Sequence, residues 1–540
     1  MTTTDAAQAT PTAPPSTKFT KNFWVINALE MGERLAYNNL RVVAPIYIMQ
    51  ADNPGGLHLT AGDKGIIYAW WAIVQSILPI FTGGLADRWG FKRTLSYAIP
   101  AIMLGYMMLG VLRDLGWATA LAGHFVGEGS AHTPQSLANY WLFLLSITVL
   151  AAGSAFFKPG LQGTLASSLV KENSSMGWGV FYWVVNVGAF VGHFIPGVLL
   201  VSGLFGAEAN SAAAWQNVFF ASAACTGLNL LLLTRLKDVP SGASKTESLG
   251  AVAKRTLLNI IEPRLLSFLI IMSGFWLMMF QLWDLQPNFI ADWLDSSKEA
   301  SWLQQHLPWA AQSMVQDTPR GPMILQNVLL SLNSIYIILG VVITSWLTRK
   351  MRTLSAMLIG MGTATAGILI AGASMNLWWL VFGILFFSIG EMTIGPKKSE
   401  YLSLIAPPGK KGLYLGYVNI PAGVGILFGS LIAGFVYGRY GEKAVLALKY
   451  LAEKTNFAEG KTWDGKVASL ETFIGVPRSE AMTTLQTHLS LTPQEATQLL
   501  WDTYSPHLHV WIPFAVVGVV SAIALFVFAR MARRWSDMDA

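Results

Sequence analysis

Apolar runs about 20 to 30 residues long recur along nearly the whole chain, divided by short polar stretches that hold most of its charge. A hydrocarbon layer about 30 Å thick needs about 20 apolar residues of helix, so each run predicts a membrane span. Twelve are marked: 23–50, 62–86, 94–113, 138–168, 178–202, 215–235, 264–290, 321–347, 354–374, 377–404, 413–437 and 509–532. Many contain Gly or Pro, which membrane helices tolerate. The predicted fold class is an all-α membrane protein. Its polar segment 236–262 separates an N-terminal bundle, 22–235, from a C-terminal one, 263–540, with six spans in each. Residues 1–21, rich in Thr, Ala and Pro, predict a disordered tail, with no basic start or cleavage site of a signal peptide. Residues 438–508 form a polar insertion before the last span, where Thr492 followed by Pro493 predicts a helix start.

Composition rules out the alternative of several soluble domains. The 540 residues are 53% hydrophobic and only 12% charged, with a mean hydropathy of +0.46. The net charge of +6 sits in short inter-span loops and builds no basic face for nucleic acid. A single cysteine, Cys225, excludes an intrachain disulfide framework and a cysteine-based metal site. The spans hold no H-E-x-x-H and no serine–histidine arrangement, and the loops no P-loop, so neither an enzyme nor a metal or cofactor is predicted. His193 is the one histidine clearly within a span. Orientation follows from the short loops. One side carries Arg88, Lys92, Arg93, Lys171, Arg235, Lys237, Lys254, Arg255, Arg264, Arg349, Lys350, Arg352, Lys410 and Lys411, and the other little beyond Arg113, Lys298 and Arg320. The positive-inside rule then places both termini in the cytoplasm of a multi-pass cell-membrane protein.

Against this apolar background the first span stands out. Glu30, Glu33, Arg34, Tyr37 and Arg41 share one arc roughly 100° wide at helical spacing, with Asn27 and Asn38 at its flanks. A charge near the bilayer centre costs about 3 kcal/mol, so such a cluster faces protein or a water-filled cavity and pairs there. An intramembrane ionisable cluster is a functional hypothesis by default.

Two sets of motifs carry a family resemblance. The loop after the second span reads Gly83-Gly84-Leu85-Ala86-Asp87-Arg88-Trp89-Gly90-Phe91-Lys92-Arg93, and the matching loop of the second half Thr348-Arg349-Lys350-Met351-Arg352. The first resembles the loop signature of major facilitator transporters, whose plan is two six-helix halves. That resemblance implies a gate or latch at Gly84, Asp87, Arg88 and Gly90. The second set begins with Glu30-Met31-Gly32-Glu33-Arg34, followed by Tyr37 and Arg41. It continues through Phe157-Lys158-Pro159, Phe181-Tyr182-Trp183-Val184-Val185-Asn186-Val187-Gly188, Phe275-Trp276 with Gln281, Leu332-Asn333, and Gly390-Glu391 with Ala406-Pro407. In that order and at those spans they resemble the proton-coupled oligopeptide transporters.

The resemblance implies a symporter importing di- and tripeptides by alternating access around a midplane cavity, with the proton as coupling ion and a monomer as transport unit. A zwitterionic peptide needs cations, which Arg41 and Lys158 supply, an anion, Glu391, and neutral hydrogen-bonding groups, Tyr37, Asn38, Asn186 and Asn333. Trp276 is assigned to the cavity wall. Proton coupling falls to Glu30 and Glu33 beside Arg34 and Lys158. Departures from the family pattern are Asn38-Asn39, Phe280, Gly395 and the polar run Lys397-Lys398-Ser399-Glu400. Asp284, one turn beyond Phe280, is the candidate replacement counter-ion for Arg41. Other readings stay open: a static ion-pair network on the first span, another amphoteric or anionic cargo, and a peptide sensor without net transport.

Overall fold

In the computed structural model the described residues are 18–127, 132–170, 173–238, 260–406, 417–458, 460 and 462–532. Most of the segment 236–262 and the tail before residue 18 lie outside them, as do Pro407, Lys171, Lys254, Arg255, Lys410 and Lys411. Among the described residues the long helices are α1 (Lys21–Arg41), α2 (Ala61–Trp89), α3 (Phe91–Val111), α4 (Pro134–Ser167), α5 (Ser174–Val201) and α6 (Ala212–Arg235) in the first half. The second half has α7 (Pro263–Met279), α8 (Gln326–Thr348), α9 (Thr353–Gly372), α10 (Leu377–Ile405), α11 (Ile420–Tyr440) and α12 (Pro506–Ala532). Among the described residues ten helices are long and apolar enough to cross a membrane. The two outside that set, α1 and α2, are equally long and carry charges, five of them on α1 from Lys21 to Arg41.

Two of the predicted spans are broken rather than continuous. Proline has no N–H to give to the carbonyl four residues back. Pro45 therefore cannot bond Arg41, where α1 ends, and the chain turns through Val42–Val43 before a short helix, Ala44–Met49. The seventh span is also broken: α7 stops at Phe280, where the Gln281 side-chain amide takes up the Leu277 carbonyl at 2.8 Å, and continues in two short pieces, Gln281–Asp284 and Gln286–Trp293, with Pro287 in the first turn of the second. The two breaks meet across the halves, where the Asn288 amide donates to the Pro45 carbonyl at 3.1 Å. On α4, Pro159 leaves the Ala155 carbonyl without its helical donor, and the Thr82 hydroxyl of α2 fills the vacancy at 2.6 Å.

Residues 315–324, partly assigned to the eighth span from the sequence, form a small antiparallel hairpin instead, Val315–Thr318 with Gly321–Ile324. Gly321, at φ +105°, makes that turn. Within 438–508 lie helices Lys443–Lys454, Leu470–Ile474, Ala481–Leu489 and Pro493–Tyr504. Thr492 caps the last through a reciprocal pair of bonds with Glu495.

The halves meet along two seams, α2 against α11 and α5 against α8. Small residues bring the first seam close: a Cβ at Gly65 would stand 2.6 Å from the Ser430 carbonyl oxygen, and one at Gly434 2.6 Å from that of Ala61. On the second seam the Asn327 amide donates to the His193 carbonyl at 2.7 Å. These contacts gather toward the face opposite the termini, the distal face. Nearer the terminal face, Met176, Trp178 and Tyr182 of α5 are exposed.

Candidate functional site

The charges of α1 meet those of α4 inside the first half. Lys158 donates to Glu30 at 2.6 Å and stands 3.5 Å from Glu33. Arg34 lies 2.5 Å from Glu33 and 3.3 Å from Glu30. Both glutamates are 2% exposed, the Arg34 and Lys158 side chains 15% and 25%, and the four groups form an internally neutral network in which each charge depends on the others. Gly188 lets α5 run against this part of α1: a Cβ there would come 2.9 Å from the Met31 carbonyl oxygen. The Pro159 position on α4, one residue past Lys158, is the one braced by Thr82.

Arg41, at the end of α1, stands apart from that network. Its guanidinium lies 4.4 Å from the centre of the Trp283 ring, 5.4 Å from Phe280 and 5.8 Å from Tyr37. The aromatic row continues down α7, with Phe280 and Trp276 ring centres 5.5 Å apart. At the far end of the row the Lys398 ammonium of α10 sits 4.3 Å over Trp276. Between the two cations, Glu391 accepts from the Asn333 amide at 3.0 Å and lies within electrostatic reach of both. Tyr182 and Asn186 face this region from α5, Tyr182 also within reach of Glu391. The Asn186 amide itself donates back to the Tyr182 carbonyl. A narrow apex of about 30 Å³, with Tyr37, Arg41, Tyr68, Phe280 and Asp284 in its walls, ends the space toward the distal face.

Asp284 does not serve as the counter-ion of Arg41. It pairs with Lys64 of α2 at 2.8 Å, both side chains buried, and accepts from Ser430 of α11 at 2.5 Å. The Lys64 ammonium also reaches the Asp284 carbonyl at 2.6 Å and Asn288 at 3.3 Å. The physical reason is the break in α7, which carries Asp284 to the seam with α2 while Arg41 is left against the rings of Trp283 and Phe280. Lys64 is the residue the sequence reading missed. The available signal was a lysine one position past the Thr60–Asp63 capping box, inside a segment otherwise fit to span.

Asn38 is nearly enclosed, and its amide donates to the Arg34 carbonyl of its own helix at 2.8 Å. Its neighbour Asn39 ties α1 to α6 through the Val218 carbonyl and the Ser222 hydroxyl. Both amides are thus spent on α1 and α6 and neither donates to Glu391. Gly84, Arg88 and Gly90 lie at the terminal end of α2. Gly90 holds φ +91°, a conformation that favours glycine, and links α2 to α3. The Asp87 side chain lies outside the described residues.

Residues 30–297 match the Major Facilitator Superfamily. Among curated proteins, the multidrug resistance protein MdtH of Citrobacter koseri (strain ATCC BAA-895 / CDC 4225-83 / SGSC4696) is 22% identical over 373 residues, 69% of this chain and 77% of that one. The structure of tetrameric PepTSo2 superposes with a TM-score of 0.59 at 14% identity, over 95% of this chain and 98% of the other. A mutant of the peptide transporter POT in complex with alafosfalin gives 0.58 at 15% identity, over 95% and 94%. The chain thus shares the fold of these transporters, and fold alone does not name a cargo.

Proposed function

We propose that the chain is a membrane transporter of the major facilitator superfamily, not an enzyme, and works as a proton-coupled symporter importing di- and tripeptides by alternating access. The observation that carries the proposal is the network in which the buried Glu30 and Glu33 meet Arg34 and Lys158. Protonating Glu30 or Glu33 removes one negative charge from a balanced set. Lys158 is then released from α1 and becomes available to a peptide carboxylate, so that cargo and proton each favour the state that holds the other. Arg41 supplies a second cation, Glu391 receives the peptide ammonium, and Tyr37, Asn186 and Asn333 line the space between.

The conformation fits one step of such a cycle. Lys64–Asp284 and the bond from Gln50 to Asp292 at 2.8 Å fasten the halves at the distal face. The lysine and arginine bias of the loops supports termini on the cytoplasmic side of the cell membrane, and on that reading the conformation is the one closed to the outside. On this proposal one chain, with its two seams and the space between them, is the transport unit.

Proteoliposomes holding the purified protein test the reading. Labelled dialanine should accumulate only under an inward proton gradient, and excess unlabelled tripeptide should block it. Equal uptake with and without the gradient would remove proton coupling. Gradient-driven uptake of other amphoteric solutes, without dialanine, would keep the coupling and change the cargo. That second reading rests on Lys398, which adds a cation where a neutral dipeptide supplies no matching anion.

A further inference from the structure

Resting on the transport reading above, we infer that α10 and α7 build a second anion-recognising subsite, centred on Lys398 and Trp276, that selects cargo bearing an acidic side chain in addition to its terminal charges. Most cations near the space between the halves already have anions. Arg34 and Lys158 are matched by Glu30 and Glu33, Lys64 by Asp284, and Lys397 by Glu400 at 2.9 Å. Arg41 and Lys398 differ. Among the described residues neither has a carboxylate within 4 Å, and each is held on an aromatic face instead. An aromatic face orients a cation without cancelling its charge. Two positive charges are thus fixed at opposite ends of the row Trp283–Phe280–Trp276, with Glu391 as the acid that both feel.

The helix geometry gives this charge pattern a length. Glu391 and Lys398 are seven residues apart on α10, so they lie on one face and about 10 Å apart along the axis. Gly395 lies between them on the same face, and a Cβ built there would meet no atom within 4 Å. An anion and a cation therefore flank a trough left open by a missing side chain. The indole N–H of Trp276 is enclosed and has no hydrogen-bond partner among the described residues, which leaves a donor beside the ammonium. A cargo with its ammonium at Glu391, one carboxylate toward Arg41 and a second at Lys398 neutralises the site. A neutral dipeptide leaves one cation uncompensated, and a basic one adds a further repulsion.

Competition against labelled dialanine uptake reads this directly. Alanyl-glutamate should inhibit at a concentration about tenfold below unlabelled dialanine, and alanyl-lysine at a higher one than either. Lys398→Gln should bring the first two within about twofold, and Lys398→Arg should keep them apart. Equal potency in the unaltered protein, or a preference that survives Lys398→Gln, overturns the inference. Thermal protection of the unaltered, detergent-solubilised protein by the same three peptides gives the same ranking without a variant or a gradient. If dialanine accumulates but no acidic preference exists, the transport reading stands and this inference falls. If no dipeptide accumulates, the transport reading falls. The subsite then stands when alanyl-glutamate protects more than dialanine, and falls when it does not.

Discussion

Glu30 and Glu33 survive as buried carboxylates because two cations complete them, and that dependence makes the network testable one residue at a time. Removing one partner of a buried ion pair strands the other at a cost of about 3 to 5 kcal/mol unless its protonation changes. Glu33→Gln and Lys158→Ala should each lower gradient-driven peptide uptake by about tenfold or more, while exchange of labelled for unlabelled peptide at equal pH persists. Full gradient-driven uptake in both variants would remove the network from the coupling mechanism. Lys64 and Asp284 give a sharper contrast. Asp284→Asn should lower the melting temperature measurably in detergent, because Lys64 keeps its charge inside the seam. The double change Lys64→Met with Asp284→Leu should recover most of that loss, as apolar replacements of buried pairs do elsewhere. Melting temperatures that fall further in the double variant would contradict this account.

At the scale of elements, the breaks in α1 and α7 do the positioning. Pro45 follows the first and Pro287 sits in the last piece of the second, each break carries a charged group at or near its edge, and the two touch through Asn288 and Pro45. The α2–α11 seam depends on Gly65 and Gly434 having no side chain. Gly434→Leu drives a side chain into the Ala61 backbone, and overpacking of that kind costs about 1 to 3 kcal/mol. The closed distal face should therefore lose population by about tenfold relative to an open one. Distances between spin labels on the distal ends of α2 and α11 should lengthen, and an unchanged distribution would show that the seam tolerates the bulk.

Over the whole molecule, the insertion before α12 ties the second half to the first from outside the bundle. Arg478 pairs with Glu442 at 2.8 Å and donates to the His58 carbonyl at 2.8 Å, so one side chain touches both halves. Burial works against its charge, yet Glu442 and Glu471 outweigh that and hold the guanidinium above its ordinary value. Arg478→Ala should raise hydrogen exchange at residues 58–61 while leaving α9 protected, and equal protection at 58–61 would contradict the tie. The insertion's last helix has its own pH dependence. The Thr492 backbone N–H and hydroxyl hold the Glu495 carboxyl below the usual glutamate range. A lowered folded value means the cap's contribution is present above the unfolded value and fades as pH falls through the folded one. Exchange in residues 493–504, corrected for intrinsic rates, should therefore be flat above about pH 5 and rise below about pH 4. Glu495→Gln should remove that step.

Much of this architecture is local and so was legible from the chain alone. Apolar runs long enough to cross a bilayer mark the helices, Thr492 and Pro493 mark a helix start, and a charged arc on α1 marks the place where lipid cannot be the neighbour. The break after α1 also has a local cause, Pro45, yet hydropathy averages across it and the run reads as continuous. The partners of the charges were decided by packing. Lys64 and Asp284 are 220 residues apart, and nothing in the spacing of either indicates the other. Asp284 one turn beyond Phe280 suggested a partner for Arg41, but the turn of the broken helix sends the carboxylate to α2 and leaves the aromatic rings for the guanidinium. A sequence states which residues are charged and which helical face they share. Only the crossing of helices from different halves determines which charges come within a few ångströms, because Coulomb interactions and hydrogen bonds depend on distance in space and not along the chain.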